Sequence, residues 1–301
     1  MMAMQRRRFL FLSAAALAPV RARADAVHQW QGRAMGAGIT LLLRGAADRQ
    51  ARGFFDQARR HLAHAESQFS LHRDSDLTRL NRLGWLRFPA PAMRDLLALC
   101  DRLHRATGGA FDPTVQPIWL ARAQGQDEAG ARALTGWSWV RIRDGEIRLA
   151  RPGMALTLNG IAQGWVADRL ALAAAQNDLG DVMIDSGEQR AIGAQGWPVG
   201  IADPQGRILR RLVLRERALA TSSPRGTLIG HARPHIIDPR GNNEALAGTV
   251  SVSAPSAALA DGLSTALCLL PRRKADQVAS ALPGCRIEAW QSGPETPESY
   301  L

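Results

Sequence analysis

The chain has 301 residues, with 38 Lys or Arg against 27 Asp or Glu and a formal net charge of +11. Residues 1–24 hold five arginines and no acid, so the other 277 residues carry 33 basic and 27 acidic side chains, or +6. With 46% hydrophobic and 22% charged residues the chain is globular, not disordered, and no arginine run with interleaved aromatics after residue 24 calls for a nucleic acid.

Arg6-Arg7-Arg8-Phe9-Leu10 leads into an apolar stretch, Phe11 to Val20, that ends in Ala22-Arg23-Ala24. A charged start, a short apolar run and small residues at −3 and −1 predict a signal peptide over 1–24. Its arginine pair resembles the twin-arginine export signal, which predicts a periplasmic protein. The apolar run is too short for a membrane span. The expected domain then runs from 25 to 290, with a loose tail at 291–301 that holds two prolines and two glutamates.

Val27 to Leu43 predicts one or two strands. From Ala47 to Phe69, Phe54, Phe55, Ala58, Leu62, Ala65 and Phe69 recur in steps that mark an amphipathic helix. Short and long helices follow at Ser75–Leu83 and Pro91–Thr107, the second stopped by Gly108-Gly109. Asp144-Gly145 between Trp137–Ile142 and Glu146–Leu149 is a hairpin signal. A helix over Ile161–Asn177 shows Val166, Leu170, Leu172 and Ala173 as its face. Strands are predicted at Val182–Asp185, Pro198–Ile201, Arg211–Arg215 and Thr249–Ser253, and a helix at Ala257–Leu270. Strands and helices mix without a regular βαβ alternation, so the fold class is α+β. Cys100 and Cys268 lie in apolar helical context and read as core filler, and the three cysteines cannot all pair.

Five clusters place glycine or polar groups where a plain core would not. Gly108-Gly109-Ala110-Phe111-Asp112-Pro113-Thr114 joins a helix end to an extended segment; its glycines admit a ligand, or Asp112 caps a turn. Leu158-Asn159-Gly160-Ile161-Ala162-Gln163-Gly164 runs into a helix start, where N–H groups suit an anion such as pyrophosphate. His235-Ile236-Ile237-Asp238-Pro239-Arg240-Gly241 reads as a strand breaking into a turn. Asp261 and Thr265, at i and i+4, can share a hard cation such as Mg²⁺, or Asp261 is a first-turn acid favoured by the helix dipole. Ala220-Thr221-Ser222-Ser223 is a hydroxyl-rich strand end.

Taken in order, these clusters resemble the ApbE family of flavin transferases, which move FMN from FAD onto a threonine of a partner protein. The resemblance rests on Met35-Gly36-Ala37, ESQFSLHRDSDLTRLN at 66–81, GGAFDPT at 108–114, LNGIAQGWVADRL at 158–170, WPVGIADP at 197–204, ATS at 220–222, HIIDPRG at 235–241 and ADGLSTAL at 260–267. It implies a compact domain of mixed sheets and helices in two lobes, related to the T-fold. It also implies FAD as substrate, with Met35, His72, Ala110, Phe111, Asp112, Thr157, Gln163 and the Ile237 backbone at the FAD site. Gly160 (through its carbonyl), Asp261 and Thr265 would hold Mg²⁺, and His235 would be the general base toward the threonine of an acceptor flavoprotein. The chain departs from the family where Thr157 replaces Asp, Gln163 replaces Lys or Glu, and His72 replaces Tyr. It departs again where Ser186-Gly187-Glu188 replaces Gly-Gly-Asp and Ser223 replaces Gly. LNGIAQG and the leader are similar to the NosX-like branch, which implies maturation of a flavoprotein serving nitrous oxide reductase. The alternatives are an FAD pyrophosphatase and a non-enzymatic exported flavin-binding accessory protein.

Overall fold

The computed structural model describes residues 27–241 and 245–293; the expected signal peptide lies outside them. Strands are β1 (Val27–Ala34), β2 (Ala37–Arg44), β3 (Trp85–Arg87), β4 (Val140–Arg143), β5 (Glu146–Leu149), β6 (Val182–Asp185) and β7 (Gln189–Ile192). They continue with β8 (Trp197–Ala202), β9 (Ile208–Leu214), β10 (Ala218–Ser222), β11 (Leu228–Ile229), β12 (Arg233–Pro234), β13 (Ala247–Ala254) and β14 (Arg286–Ser292). Helices are α1 (Asp48–Phe69), α2 (Asp76–Leu83), α3 (Pro91–Ala106), α4 (Gln116–Ala123), α5 (Ala129–Arg132), α6 (Ala162–Gln176), α7 (Ala257–Leu267) and α8 (Arg272–Ala281).

One antiparallel sheet, in the order β1-β2-β6-β7-β10-β13-β14, organises the molecule. Strand side chains alternate between its two faces. Ile39, Leu41, Leu43, Val182, Ile184, Ala218, Ala220, Val250 and Val252 turn toward the helices and join the main core. Met183, Ala191 and Leu219 turn the other way, under the β8–β9 hairpin, and close a small second core with Trp197, Val199 and Ile201. A minor sheet, β3-β5-β4, packs beside α2. This is the expected α+β class.

Helix α1 buries Phe54, Ala58, Leu62, Ala65 and Phe69 of the expected stripe, while Phe55 is half-buried against the core. Helix α6 packs between α1 and α7. Of its expected face, Val166, Leu170 and Ala173 are buried, but Leu172 is exposed. The small residues Gly164, Ala167, Ala171 and Ala174 are buried in its place. The α6–α7 approach depends on Gly164, where a β-carbon would collide with the Ala257 carbonyl.

Several expected bounds shift. The helix after Ser256 ends at Leu267, not Leu270, and the strand expected at 211–215 runs from Ile208 to Leu214. After Gly109 the chain forms a 3₁₀ turn, Pro113–Val115, and then α4, because Asp112 accepts the Thr114 N–H and starts a helix. Pairing in the HIIDPRG region is confined to β12, and residues 235–241 are irregular. Strand β14 takes in Gln291 and Ser292, so the fold passes the expected boundary at 290; residues 294–301 lie outside the described residues. All three cysteines are buried and unpaired.

Candidate active site

Segments at 66–81, 108–114, 158–170, 235–241 and 260–267 are tied to one another, whereas WPVGIADP lies in the β8–β9 hairpin over the other face of the main sheet. The Thr157 N–H donates to the Pro113 carbonyl at 2.8 Å, joining LNGIAQG to GGAFDPT. Phe111 and Ile161 lie 3.4 and 3.5 Å from where a β-carbon on Gly262 would stand, so both reach α7 beside Asp261. Gly109 faces the Arg240 side chain, which brings in HIIDPRG. Asn81 exchanges two hydrogen bonds with the Leu156 backbone and ties the 66–81 segment to the same place.

Asp261 sits in the first turns of α7 and is buried. Its Oδ2 accepts the Gly164 N–H at 3.2 Å, from the start of α6. Burial pushes its carboxyl up to about 7, the Gly164 bond opposes this, and the charge of Asp168 adds to it. Asp168 accepts the Ala257 and Ala258 N–H groups at 2.7 and 2.9 Å, and thereby caps α7. Glu188 is raised well above the carboxylate range by burial and by the charges of Asp261 and Asp185, and its Oε2 has no hydrogen-bond partner.

One turn on from Asp261, the Thr265 hydroxyl lies 3.2 Å from the β-carbon position of Gly160 and 3.3 Å from Ser222 Oγ. Ser222 also bonds Ser264 Oγ at 2.8 Å, so the hydroxyl-rich end of β10 belongs to this site. Among the described residues no group of three or more His, Cys, Asp or Glu could hold a metal ion. The residues present nevertheless fit Mg²⁺: one buried carboxylate, one hydroxyl and a glycine with no side chain to block it form a small oxygen set.

His235 is anchored to the turn beyond the Ser222 end of β10. Its Nδ1 is 3.0 Å from two backbone carbonyls, Pro224 and Thr227, in the turn that follows β10. Carbonyls only accept, so Nδ1 carries the proton and Nε2 of the neutral ring keeps its lone pair. Burial lowers the pKa of the ring, against the two carbonyls, and keeps it neutral.

The remaining expected FAD-site residues differ in burial and in their partners. Met35 occupies the β1–β2 turn at φ 52° and donates its N–H to Glu66 Oε1 at 3.2 Å. Glu66 also pairs with Arg73 at 2.9 Å, beside exposed His72. Gln163 receives the Ser186 hydroxyl on its carbonyl and lies against Gly187. Thr157 turns its hydroxyl to the Asn159 N–H, and Ile237 is buried. Ala110 and Phe111 are buried. Asp112 is structural in its side chain: Oδ1 takes the Thr114 N–H and hydroxyl at 2.8 and 2.6 Å, and Oδ2 the Trp137 N–H at 3.2 Å. The sequence marks no site role for Ser222, Ser264 or Glu188, although each lies in a stretch singled out above: ATS at 220–222, ADGLSTAL at 260–267 and Ser186-Gly187-Glu188.

The ApbE family model matches residues 35–288. The FAD:protein FMN transferase of Klebsiella pneumoniae (strain 342) is 30% identical over 236 residues, covering 68% of this chain and 67% of its own. That of Treponema pallidum (strain Nichols) is 31% identical over 264 residues, covering 74% and 73%. The flavin transferase ApbE from Vibrio cholerae has a similar structure, with a TM-score of 0.76 at 25% identity over 86% of this chain and 91% of that one. The apo flavinyl transferase ApbE of Pseudomonas stutzeri gives a TM-score of 0.73 at 25% identity, over 85% and 88%. Segment order, buried site and these likenesses agree, and the chain belongs to the ApbE family.

Proposed function

We propose that the protein is an FAD:protein FMN transferase that links FMN to a threonine hydroxyl of an acceptor flavoprotein. The observation that carries this reading is the buried Asp261, held by the Gly164 N–H one turn before Thr265, which faces Gly160, together with a His235 whose Nδ1 is committed to two carbonyls so that its Nε2 keeps the lone pair a base needs. The threonine oxygen attacks the FMN-side phosphorus, its proton passes to Nε2, and the bond to the AMP phosphate breaks. Atoms balance as FMN-threonine ester, AMP and a proton. The N–H groups at the start of α6 face the pyrophosphate, and Phe111 and Met35 supply apolar walls. Asp261, Thr265 and the Gly160 carbonyl would hold Mg²⁺, which when bound offsets negative charge on the phosphates. A buried carboxylate with a raised pKa is costly to keep, and a passive flavin carrier has no use for it.

The arginine-paired leader supports export to the periplasm, and with LNGIAQG it supports an acceptor linked to nitrous oxide reductase. The test mixes the purified protein with FAD and Mg²⁺. The acceptor is supplied as the membrane fraction of a bacterium deleted for its own flavin transferase. A fluorescent band that survives denaturing electrophoresis, with one AMP released per flavin attached, is expected. AMP released equally without membranes would instead indicate a pyrophosphatase, and no AMP at all a carrier.

A further inference from the structure

Glu128, in a stretch with no motif, is the hub of an ion cluster. Arg122 binds it bidentately, Nε to Oε1 at 2.8 Å and Nη2 to Oε2 at 3.1 Å. Arg132 Nη2 reaches Oε2 at 2.9 Å, and Arg233 Nη1 reaches Oε1 at 2.8 Å. Three guanidinium groups thus share one carboxylate, whose side chain is 11% exposed. The same arginines reach onward to the backbone on either side of His235. Arg122 Nη1 donates to the Pro234 carbonyl at 3.0 Å, one residue before the histidine, and Arg132 Nη1 to the Asp238 carbonyl at 3.3 Å, three after it. Arg233 is itself in β12.

We propose that Glu128 is a positioning residue for the transfer: it gathers Arg122, Arg132 and Arg233, and through them clamps the backbone on both sides of His235. Resting on the base reading above, this assigns α4 and α5 a task in catalysis without contact to substrate. Fixing residues 234 and 238 holds Nδ1 on the Pro224 and Thr227 carbonyls, and that fixes which nitrogen is the base. Without the carboxylate three like charges face one another, Arg122 with a side chain only 7% exposed, and the clamp opens.

The test uses Glu128→Gln in the full protein with ¹⁵N-labelled histidine, the His235 signal being identified by its loss in His235→Asn. Wild type should show a ring protonated at Nδ1. Glu128→Gln should show a substantial population protonated at Nε2, a turnover for AMP release on the membrane acceptor at least tenfold lower, and an FAD dissociation constant within twofold. Added to His235→Asn, it should cost less than a further twofold, because its effect passes through the histidine. An unchanged tautomer together with turnover within twofold would overturn the proposal, as would an equal loss in both backgrounds. Full turnover in His235→Asn would sink the base reading instead, while the ¹⁵N spectrum still decides the clamp. If Glu128→Gln does not fold, Arg132→Met, at a side chain 34% exposed, removes one arm and should move the same observables in the same direction.

Discussion

Replacing Asp261 by Asn should inactivate the protein and stabilise it. The carboxyl has its usual value of 3.8 in the unfolded chain and about 7 when folded, chiefly through burial. Below pH 3.8 both states are protonated and nothing is lost. As the pH rises toward 7 the unfolded carboxyl ionises and the folded one does not, so stability falls; above 7 the penalty is complete. A gap of about three pH units is worth at most about 4 kcal/mol. The asparagine amide can keep the Gly164 bond but must seat its own NH₂, so roughly half, about 2 kcal/mol, is the expected gain. For a domain of this size that is roughly 4–8 °C in melting temperature. The assay is calorimetry of wild type and D261N in EDTA at pH 5, 6.5 and 8, repeated with 10 mM Mg²⁺. The advantage of D261N should grow with pH in EDTA and shrink in Mg²⁺, since an ion that binds only the native carboxylate stabilises only wild type. Transfer should drop at least a hundredfold. A melting temperature for D261N below that of wild type in EDTA at pH 8 would refute the burial argument. A wild-type melting curve indifferent to Mg²⁺ would refute the metal assignment.

Other consequences are more direct. Gly160→Ala puts a methyl group 3.2 Å from Thr265 Oγ1, so AMP release should fall at least tenfold while circular dichroism stays native. Gly164→Ala forces a methyl into the Ala257 carbonyl at the α6–α7 contact; urea titration should show a loss of about 3 kcal/mol or more, or no folded protein. His235 must be neutral to accept a proton, and burial lowers its pKa, so the acid limb of turnover should have its midpoint below pH 6.5 and vanish in His235→Asn. The buried Cys100 and Cys268 thiols, pushed up by loss of water, should resist alkylation at pH 8 until urea unfolds the chain.

What could be read in advance follows the range of the interaction. The stripe of α1, the Asp144-Gly145 turn and the glycine stop after α3 are local, and each lies where expected. Strand β7 is four residues with a buried Gln189, and β14 mixes charge with Trp290; neither has a period to detect until a neighbour pairs with it. Helices α4 and α5 follow a proline and a polar stretch that look like loop, and they form against residues far along the chain. The site divides the same way. Asp261 and Thr265 are visible because a helix sets four residues one above another. Glu128 is invisible because its partner Arg233 lies 105 residues away. Asp112 is the instructive middle case. From sequence it could have been a ligand-facing acid or a cap, and the fold decides by consuming both oxygens on Thr114 and Trp137. If GGAFDPT meets FAD as proposed, it does so through groups other than this carboxylate, which holds the turn at Thr114 and Trp137 still. Replacing Asp112 by Asn should consequently loosen FAD binding in step with stability, whereas loss of Asp261 should separate the two.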